Sequence, residues 1–575
     1  MSSLFKGNGV SAGIGIGKAF VISQYEFNVP QNFIDDAEKE LEKLSRAVKT
    51  IVDDLENASD EQGDILEAYI MLLKDPNVTE EVRRFITVEK RNAAFAVEKG
   101  LSMVADVFLA MQDDYMSERS GDINDIKTRL LIELLNIPKH DVKNLSPGSI
   151  IVASDLSLSD MLSIDFEKVN GIVTEIGGKN SHVSIIARNF SIPLAVGVND
   201  IVKEVLPDMD VIVDGRCGDV VLCPNSDQVM WYAQEQTRFF KQKSSLECFR
   251  DKPSITKDGV ELDIMANVGS YGDVECAIDC MAGGIGLLRS EFLFSDVHGF
   301  RSEEKQFEMY RGILVKMSGA PVTIRLFDFG GDKSLKGITI EGEENPALGC
   351  RGVRLALRNR DILKTQIKAL LRASVYGPLH IMIPMVSSVN EVGMVRKVIC
   401  EVKRDLKDIC GSFEKNIKVG VMIEVPSAAI MCDKIACDCD FFSIGTNDLV
   451  QYVTASDRNN GYVSSLYSHY EPAVLRLINQ VAIIASEHKI PCSVCGEAAA
   501  DPVMLPLFIG MGIRKMSIAP NLILKFRKQL SRISEKNSRK LVNAVLNLST
   551  AEQVSEYLKH YLKRVGASSR TFSLR

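Results

Sequence analysis

Hydrophobic and polar residues follow different rhythms in different parts of this 575-residue chain. Between residues 25 and 144 the apolar positions recur at steps of three and four residues, which predicts amphipathic helices. The first helical face is formed by Phe33, Ala37, Leu41, Leu44, Val48, Ile51 and Leu55. Further helices are predicted at Ile65–Lys74, Val78–Val88, Ala94–Met111 and Ile123–Leu135. We therefore predict that 25–144 is an all-helical domain.

Short β-branched runs flank that helical region on both sides. Residues 1–24 are rich in Gly and Val, and strand patterns return at Ser149–Ala153. They end in a predicted hairpin that pairs Val211–Asp214 with Asp219–Leu222. We predict one α/β domain, made of 1–24 and 145–224, that the helical domain interrupts. A polar helical stretch at 225–255 follows and is interpreted as a linker.

Strand and helix patterns alternate over 256–575. Eight strands are predicted near 261–266, 283–288, 321–327, 379–384, 417–423, 440–444, 491–494 and 513–518. Helical lengths separate them, which indicates parallel βα units and a closed (β/α)8 barrel of the TIM type. The predicted fold class is a multidomain α/β protein, in which an α/β domain with a helical insertion precedes a barrel.

Composition excludes several classes of protein. The net charge of −8 and the lack of a long Lys/Arg block argue against nucleic-acid binding. No apolar run approaches the ~20 residues of a membrane-spanning helix, and a signal-peptide pattern is absent. Thirteen cysteines without framework spacing predict reduced thiols and a cytoplasmic location. Cys492 and Cys495 form one C-x-x-C, a weak indication of a metal or redox site because no second pair has zinc spacing.

The stretch Gly177–His182 has the pattern of a phosphate-binding turn. Its two glycines permit a tight turn, and Ser181 is predicted to be an N-cap that places His182 in the first turn of a helix. Amide N–H groups and the positive end of the helix dipole favour an anion there. A neutral imidazole at this point can attack phosphorus and carry a phosphoryl group. The alternative is a partly buried histidine that only packs.

Polar side chains follow five of the predicted barrel strands at their carboxyl ends, the face where barrel enzymes carry their sites. They are Arg289 and Glu291 after strand two, Arg325 and Asp328 after strand three with Lys333 beyond, Glu424 after strand five, Asn447 and Asp448 after strand six, and Cys495 after strand seven. One such charge is usually a solvated loop residue. Convergence of several on one barrel mouth predicts a site.

These side chains suit a phosphorylated carboxylate as substrate. Arginines offer planar donors to phosphate and carboxylate oxygens, and Lys333 adds a point charge. Glu424 and Asp448 provide the oxygen ligands that Mg²⁺ takes together with substrate oxygens and water. A cation there would stabilise enolate charge. Cys495 is either a general acid toward carbon or a small buried side chain.

Four motifs carry a resemblance to a known family. They are 177–188, which holds His182; 441–452, with Arg458 beyond it; 344–351, which holds Arg351; and 68–76 in the helical domain. Through these motifs the chain resembles enzyme I of the bacterial phosphoenolpyruvate:sugar phosphotransferase system, the phosphoenolpyruvate–protein phosphotransferases. The resemblance runs from the first glycines to the last barrel strand.

The resemblance implies an activity and a role for each candidate residue. His182 would take the phosphoryl group of phosphoenolpyruvate and pass it to a histidine of the phosphocarrier HPr, with release of pyruvate, as the first step of the phosphotransferase system. The implied roles are phosphate binding by Arg289 and Arg325 with Lys333 and Arg351, substrate binding by Asn447, Asp448 and Arg458, Mg²⁺ binding by Glu424 and Asp448, and protonation by Cys495.

The resemblance also implies partners and a motion. HPr would bind the helical domain, where acidic residues would steer a basic partner: Asp35, Asp36, Glu38, Glu40, Asp53, Asp54, Glu56, Asp60, Glu61, Asp64 and Glu67. The family forms homodimers through the barrel. Because one histidine must visit both the barrel mouth and HPr, we predict that the α/β domain swivels.

The chain departs from the usual family pattern beside two of these residues. Around His182 the departures are Asn180, Val183 and Met161, where hydroxyl residues are common. Around Arg289 they are Leu288 and Ser290, where Tyr and Thr are usual. The first three bear on the reactivity of the histidine.

Two other functions stay open from the sequence. One is a regulatory homologue without catalysis, against which the joint presence of the barrel residues argues. The other is an enzyme of the pyruvate–phosphate dikinase type, which needs an ATP-grasp domain. The N-terminal region is instead amphipathic helix without a Gly-rich phosphate loop.

Overall fold

The structure is a computed structural model in which the chain forms two compact units, Met1–Gln242 and Lys243–Leu574. The described residues are 2–22, 25, 27–56, 70, 73, 76–109, 114–137, 145–156, 160–161, 164–178, 181–293, 302–330, 343–409, 413–414, 416–458, 460 and 462–566.

An eight-stranded sheet organises the first unit. Its strands are β1 (Ser3–Lys6), β2 (Asn8–Ser11), β3 (Ile14–Ile22), β4 (Ser149–Ala153), β5 (Val169–Thr174), β6 (Leu194–Val196), β7 (Asp210–Asp214) and β8 (Asp219–Leu222). Their order is β1-β8-β7-β3-β4-β5-β6-β2, with β7 and β8 in the predicted antiparallel hairpin. Strand β4 is buried on both faces. Successive side chains of a strand point to opposite faces, and Ile150 and Ile151 accordingly pack in two different apolar clusters.

The predicted helical insertion between β3 and β4 is confirmed. The helices of this unit are α1 (Ala37–Glu56), α2 (Pro76–Thr87), α3 (Ala93–Leu109), α4 (Asp114–Leu135), α5 (His182–Asn189), α6 (Ile201–Glu204) and α7 (Ser226–Glu247). The last of them runs past the end of the unit at Gln242 and lies within the range predicted to be a linker. The apolar faces of α1–α4 share one core with one side of the sheet. The predicted helix at Ile65–Lys74 and the motif at 68–76 lie almost entirely outside the described residues.

The prediction that Phe33 lies on the first helix is wrong. Asp36 Oδ1 accepts hydrogen bonds from the backbone N–H groups of Glu38 and Lys39, at 3.1 and 3.3 Å, so the helix begins after this cap. The Phe33 ring lies outside the helix and is 73% exposed. The guanidinium of Arg91 covers it at 3.9 Å from the ring centroid.

A closed barrel of eight parallel strands forms the second unit, as predicted. Its strands are β9 (Asp263–Val268), β10 (Ile285–Arg289), β11 (Val322–Arg325), β12 (Leu379–Ile383), β13 (Lys418–Ile423), β14 (Phe442–Gly445), β15 (Cys492–Cys495) and β16 (Lys515–Ile518). Each pairs with the next, and β16 pairs with β9 to close the ring. All eight predicted strands are present, with small shifts at their ends.

Helices alternate with these strands and bury one large apolar core against them. They are α8 (Tyr271–Asp279), α9 (Glu303–Lys316), α10 (Val353–Arg358), α11 (Arg360–Ala373), α12 (Val389–Ile409), α13 (Pro426–Ile430), α14 (Cys432–Ile435), α15 (Thr446–Thr454), α16 (Pro472–Glu487), α17 (Glu497–Ala500), α18 (Leu505–Gly510), α19 (Ile523–Leu530), α20 (Glu535–Val545) and α21 (Ala551–Arg564). In the part of the chain that the structure describes, no helix has the length and apolar character needed to cross a membrane.

Candidate functional site

The carboxyl ends of the barrel strands bring most of the predicted residues together. Arg289 and Arg325 are the last residues of β10 and β11, and they are direct partners in the register of these strands. Arg325 is buried and forms ion pairs with Glu291 and with Asp328, whose Oδ2 lies 3.3 Å from Nη1. Two neighbouring strands therefore end in two adjacent guanidinium groups.

Asp328 links Arg325 to a second buried arginine. Its Oδ2 accepts a hydrogen bond from Nη2 of Arg351 at 3.0 Å, and Nη1 of Arg351 donates to Asp448 Oδ1 at 3.2 Å. Glu291, Arg325, Asp328, Arg351 and Asp448 thus form a row of alternating charges, here called the charged row. All five are buried, so each charge depends on its neighbours for compensation.

The electrostatics of the arginines differ along the site. Burial lowers the pKa of Arg289, and the like charge of Arg325 lowers that pKa further. Burial also disfavours the charge of Arg325 and Arg351, but the carboxylates of the charged row outweigh it and raise the pKa of both. An anion bound beside Arg289 would therefore relieve repulsion between adjacent guanidinium groups.

Glu424 follows β13 and is almost fully buried. The backbone N–H of Met385 donates to its Oε1 at 2.6 Å, and Met385 has a φ of 54°, a strained conformation for a non-glycine residue. A Cβ at Gly445 would lie 2.7 Å from Glu424 Oε2, so glycine leaves the room that the carboxylate needs. Burial raises the pKa of Glu424, and the charges of Asp448 and Asp328 raise it further.

This environment fits a hard cation. Glu424 and Asp448 follow the neighbouring strands β13 and β14 and would offer carboxylate oxygens. Burial and then the charges of Asp448 and Asp328 raise the pKa of Glu424, and a positive ion would offset both effects. Among the described residues, no three His, Cys, Asp or Glu side chains are grouped to hold a metal. A cation at Glu424 and Asp448 would accordingly need further oxygens from substrate or water.

Cys495 ends β15 and is buried. Its Sγ lies 3.4 Å from the carbonyl oxygen of Ile444, and the hydroxyl of Ser443 donates to it at 3.6 Å. Burial raises the pKa of this thiol to about 11, so the group carries its proton at neutral pH. A protonated thiol is the form that a general acid requires.

Asn447 and Arg458 complete the set on the described chain. Asn447 lies in the first turn of α15, where its Oδ1 accepts the N–H of Glu497 at 2.8 Å. Arg458 is partly buried, and its charge lowers the pKa of Arg289, which places the two groups in one electrostatic neighbourhood. Lys333 lies outside the described residues.

The sequence left several residues of this site without a role. Asp328 was noted at a strand end but not as the bridge between two arginines. Tyr452 accepts a hydrogen bond from Arg351 Nη1 at 3.4 Å and donates one to the carbonyl of Ala347, which joins two of the four motifs. Tyr467 donates to the carbonyl of Asn447 at 3.1 Å. The position of Tyr452 within 441–452 was an available signal; Tyr467 offered none.

The helix after the glycine turn of the first unit begins where it was predicted. Ser181 is the N-cap residue of α5 and His182 is the first residue of that helix. The Ser181 hydroxyl makes no capping bond; it donates to the carbonyl of Gly178 at 3.0 Å, and Ser184 donates to the same carbonyl at 2.6 Å. Met161 and Val183 are buried in the core, so neither position offers a hydroxyl to the histidine.

Comparison with known proteins gives the same assignment for the whole chain. Family models described as PEP-utilising enzyme match at 6–119 (N-terminal), 145–218 (mobile domain) and 243–535 (PEP-binding domain). The phosphoenolpyruvate-protein phosphotransferase of Staphylococcus aureus is 36% identical over 572 residues, which cover 98% of this chain and 100% of that relative.

The chain belongs to the phosphoenolpyruvate–protein phosphotransferase family.

Relatives of the same name in other bacteria have equal similarity. The protein of Bacillus subtilis strain 168 is 36% identical over 566 residues, 97% of this chain and 99% of the relative. That of Listeria monocytogenes is 36% identical over 569 residues, 98% of this chain and all of the relative. The family is one of enzymes, and its matches span both units described above.

Proposed function

We propose that this enzyme transfers the phosphoryl group of phosphoenolpyruvate to His182 and from there to a histidine of HPr, with release of pyruvate. The observation that carries the proposal is the convergence of Arg289, Arg325 and the charged row with Glu424 and Cys495 at one barrel mouth. Cationic donors, cation ligands and a protonated thiol are the groups that this reaction needs.

The positions of the described groups support a role for each in substrate binding, and Lys333 is assigned from the family resemblance. Arg289 and Arg325, paired in register, bind the phosphate, together with Arg351 and Lys333. Arg458 and Asn447 hold the carboxylate end, and Asp448 belongs to the same substrate-binding set. Cys495 donates its thiol proton to the methylene carbon of the enolate as the phosphoryl group leaves.

Glu424 and Asp448 would hold Mg²⁺, which supplies electrostatic stabilisation of enolate charge when it is bound. The raised pKa of Glu424 supports this role, since a cation would offset the burial and the carboxylate repulsion that cause the shift. The chain's own contribution is to keep both carboxylates in place, through the Met385 N–H and the Arg351 guanidinium.

HPr would dock on the helical domain, 25–144. The α/β domain, formed by 1–24 and 145–224, would swivel on the linker, 225–255. The barrel domain would comprise 256–575. Asp35, Asp36, Glu38, Asp53 and Asp54 are exposed and support attraction of a basic partner. Glu40 does not belong to this surface, because it is buried and its Oε2 accepts the N–H of Ala93 at 2.8 Å.

The barrel would form a homodimer. Exposed apolar side chains support this: Ile430 is the last residue of α13, Met431 follows it, and Ile483 lies on α16. Gln480 of α16 donates to the carbonyl of Ile430 at 3.5 Å. Ile483→Glu should yield a monomer in light-scattering measurements, and Val315→Glu, an exposed apolar position on α9, should not. A cytoplasmic location remains part of the proposal.

Intact-mass spectrometry tests the first half-reaction. After incubation with phosphoenolpyruvate and Mg²⁺ the protein should gain one phosphoryl group. The His182→Ala variant should gain none, whereas a variant at an exposed histidine, His488→Ala, should gain it normally. Addition of HPr should then discharge the adduct. No adduct in the unaltered protein would leave a regulatory homologue, and a requirement for ATP would indicate a dikinase.

A further inference from the structure

A fully buried cluster of uncharged polar side chains lies next to the two paired arginines. Its members are Ser290, directly after β10; Gln306 and Tyr310 on α9; and Gln366 on α11, all with no exposed surface. Here it is called the glutamine cluster. Polar groups at this depth are costly unless each one is hydrogen-bonded, so the direction of each bond can be worked out.

The backbone fixes the orientation of the Gln366 amide. Its Oε1 accepts the N–H of Phe327 at 3.1 Å, so its Nε2 is the donor to Ser290 Oγ at 2.9 Å and to Tyr310 Oη at 3.2 Å. Each hydroxyl then has one proton left to donate. That of Ser290 goes to the carbonyl of Arg325 at 2.8 Å, and that of Tyr310 goes to Gln306 Oε1 at 3.0 Å.

Gln366 therefore holds the segment at the carboxyl end of β11 on both sides of Leu326. It binds the N–H of Phe327 directly and the carbonyl of Arg325 through Ser290, which is covalently attached to Arg289. The backbones of both arginines are thus tied to a single amide. Their side chains carry like charges on paired strands, and a backbone held from behind keeps these charges at a fixed separation.

We propose that Gln366, acting through Ser290, is a positioning residue for the phosphate end of the substrate. It sets the spacing of Arg289 and Arg325 without contacting the ligand. The proposal rests on the proposed function, in which these two arginines bind the phosphate. It predicts that loss of the cluster weakens binding of the phosphoryl group and leaves binding of the carboxylate almost unchanged.

Calorimetric titration of full-length protein can separate the two ends. In a His182→Ala background, phosphoenolpyruvate binds without phosphoryl transfer. Oxalate, which has carboxylates but no phosphoryl group, serves as the second ligand, with Mg²⁺ present in both titrations. Gln366→Met removes three hydrogen bonds of the cluster and Ser290→Ala removes two. Each should weaken phosphoenolpyruvate binding about tenfold, the effect of weakening one hydrogen bond between an arginine and the phosphate. Oxalate affinity should change less than about twofold.

Two variants control for a purely structural effect. Ser290→Thr keeps the hydroxyl and should keep the affinity for phosphoenolpyruvate. Tyr310→Phe removes the two bonds of the Tyr310 hydroxyl, one to Gln306 and one from Gln366, but leaves the bonds of Gln366 to Phe327 and Ser290 in place. It should therefore lower the melting temperature without changing phosphoenolpyruvate affinity.

Either of two results would overturn the inference. One is an equal loss of both ligands in Gln366→Met; the other is a loss of phosphoenolpyruvate in Tyr310→Phe as large as in Gln366→Met. Failure of the His182→Ala parent to bind phosphoenolpyruvate would instead reject the proposed function on which the inference rests.

Discussion

The backbone N–H of Met385 donates a hydrogen bond to Glu424 Oε1 at 2.6 Å. This contact orients a buried carboxylate but supplies no charge to compensate it, and the nearby carboxylates of Asp448 and Asp328 add repulsion. The residue that makes the contact has a positive φ, which the surrounding barrel must maintain. The charge of Arg325 and the Met385 hydrogen bond favour the ionised form of Glu424, but burial and the two carboxylates outweigh them and raise its pKa. A bound cation would favour the ionised form again.

Glu424→Gln should separate metal binding from folding. The amide oxygen can still accept the Met385 N–H, so the fold should be retained. We expect Mg²⁺-dependent release of pyruvate to fall at least about 100-fold, because one of the two charged ligands is lost. Turnover measured against Mg²⁺ concentration checks this. Glu497→Gln, at an exposed carboxylate that follows β15, should behave like the unaltered protein; equal loss in both variants would contradict the metal assignment.

Asp328→Asn should be strongly destabilising. The carboxylate is completely buried between Arg325 and Arg351, and its neutral replacement leaves two buried guanidinium groups without their shared partner. A loss of about 3–5 kcal/mol in the free energy of unfolding is expected. Urea denaturation provides the measurement.

The matched control for that variant is an exposed ion pair. Glu401 lies 3.0 Å from Arg360 at the surface of the same unit, so Glu401→Gln should cause a much smaller change. Comparable losses of unfolding free energy in the two variants would show that Asp328 does not have a special role in the stability of the charged row.

Cys495→Ser should slow the formation of pyruvate. Serine is a far weaker acid than a thiol with a pKa of about 11, so protonation of the enolate carbon should become limiting. A decrease of about 10²–10⁴-fold is expected for loss of a general acid. Single-turnover release of pyruvate is the readout. Cys492→Ser, three residues earlier on the same strand, should leave the rate unchanged, and a similar defect there would point to a shared structural cause.

His380 should make the stability of the barrel depend on pH. Burial lowers its pKa from 6.5 to about 4, and the charges of Lys418 and Lys515 contribute. Below pH 6.5 the unfolded state therefore binds more protons than the folded state, and stability falls as pH decreases toward 4. The melting temperature of His380→Gln should vary less between pH 7 and pH 5 than that of the unaltered protein. An unchanged pH dependence would exclude His380 as its source.

Strand positions and strand-end chemistry were predictable from the sequence because they follow local rules. A parallel barrel places all carboxyl ends on one face, so residues such as Arg325 and Glu424 could be assigned to a common site without knowing any contact. The start of α1 was missed because the apolar period continues through Phe33 while Asp36 caps the helix one turn later. The sequence also places Glu40 on a charged surface, because the residue that it contacts, Ala93, belongs to a different helix and the local pattern does not reveal that contact.

Contacts between distant segments could not be predicted in this way. The Arg351–Asp448 pair spans 97 residues, and its choice of partner depends on side-chain reach across the barrel mouth. Gln366 lies on α11, and the sequence pattern there predicts only that a helix connects two barrel strands. The pattern does not indicate which hydrogen bonds a polar residue on the buried face of this helix makes. Its significance depends on Ser290 and Phe327, which belong to other elements.

Closure of the barrel by β16 and β9 has a consequence for the newly made chain. The bond from Ser517 Oγ to the carbonyl of Ala266 spans 251 residues, so the ring cannot close until β16 has left the ribosome. Every charged residue of the site is synthesised before that strand. Until β16 is made, a nascent chain therefore exposes apolar strand edges and the charged side chains that are buried in the folded barrel. Its capacity to bind substrate marks the completion of its folding.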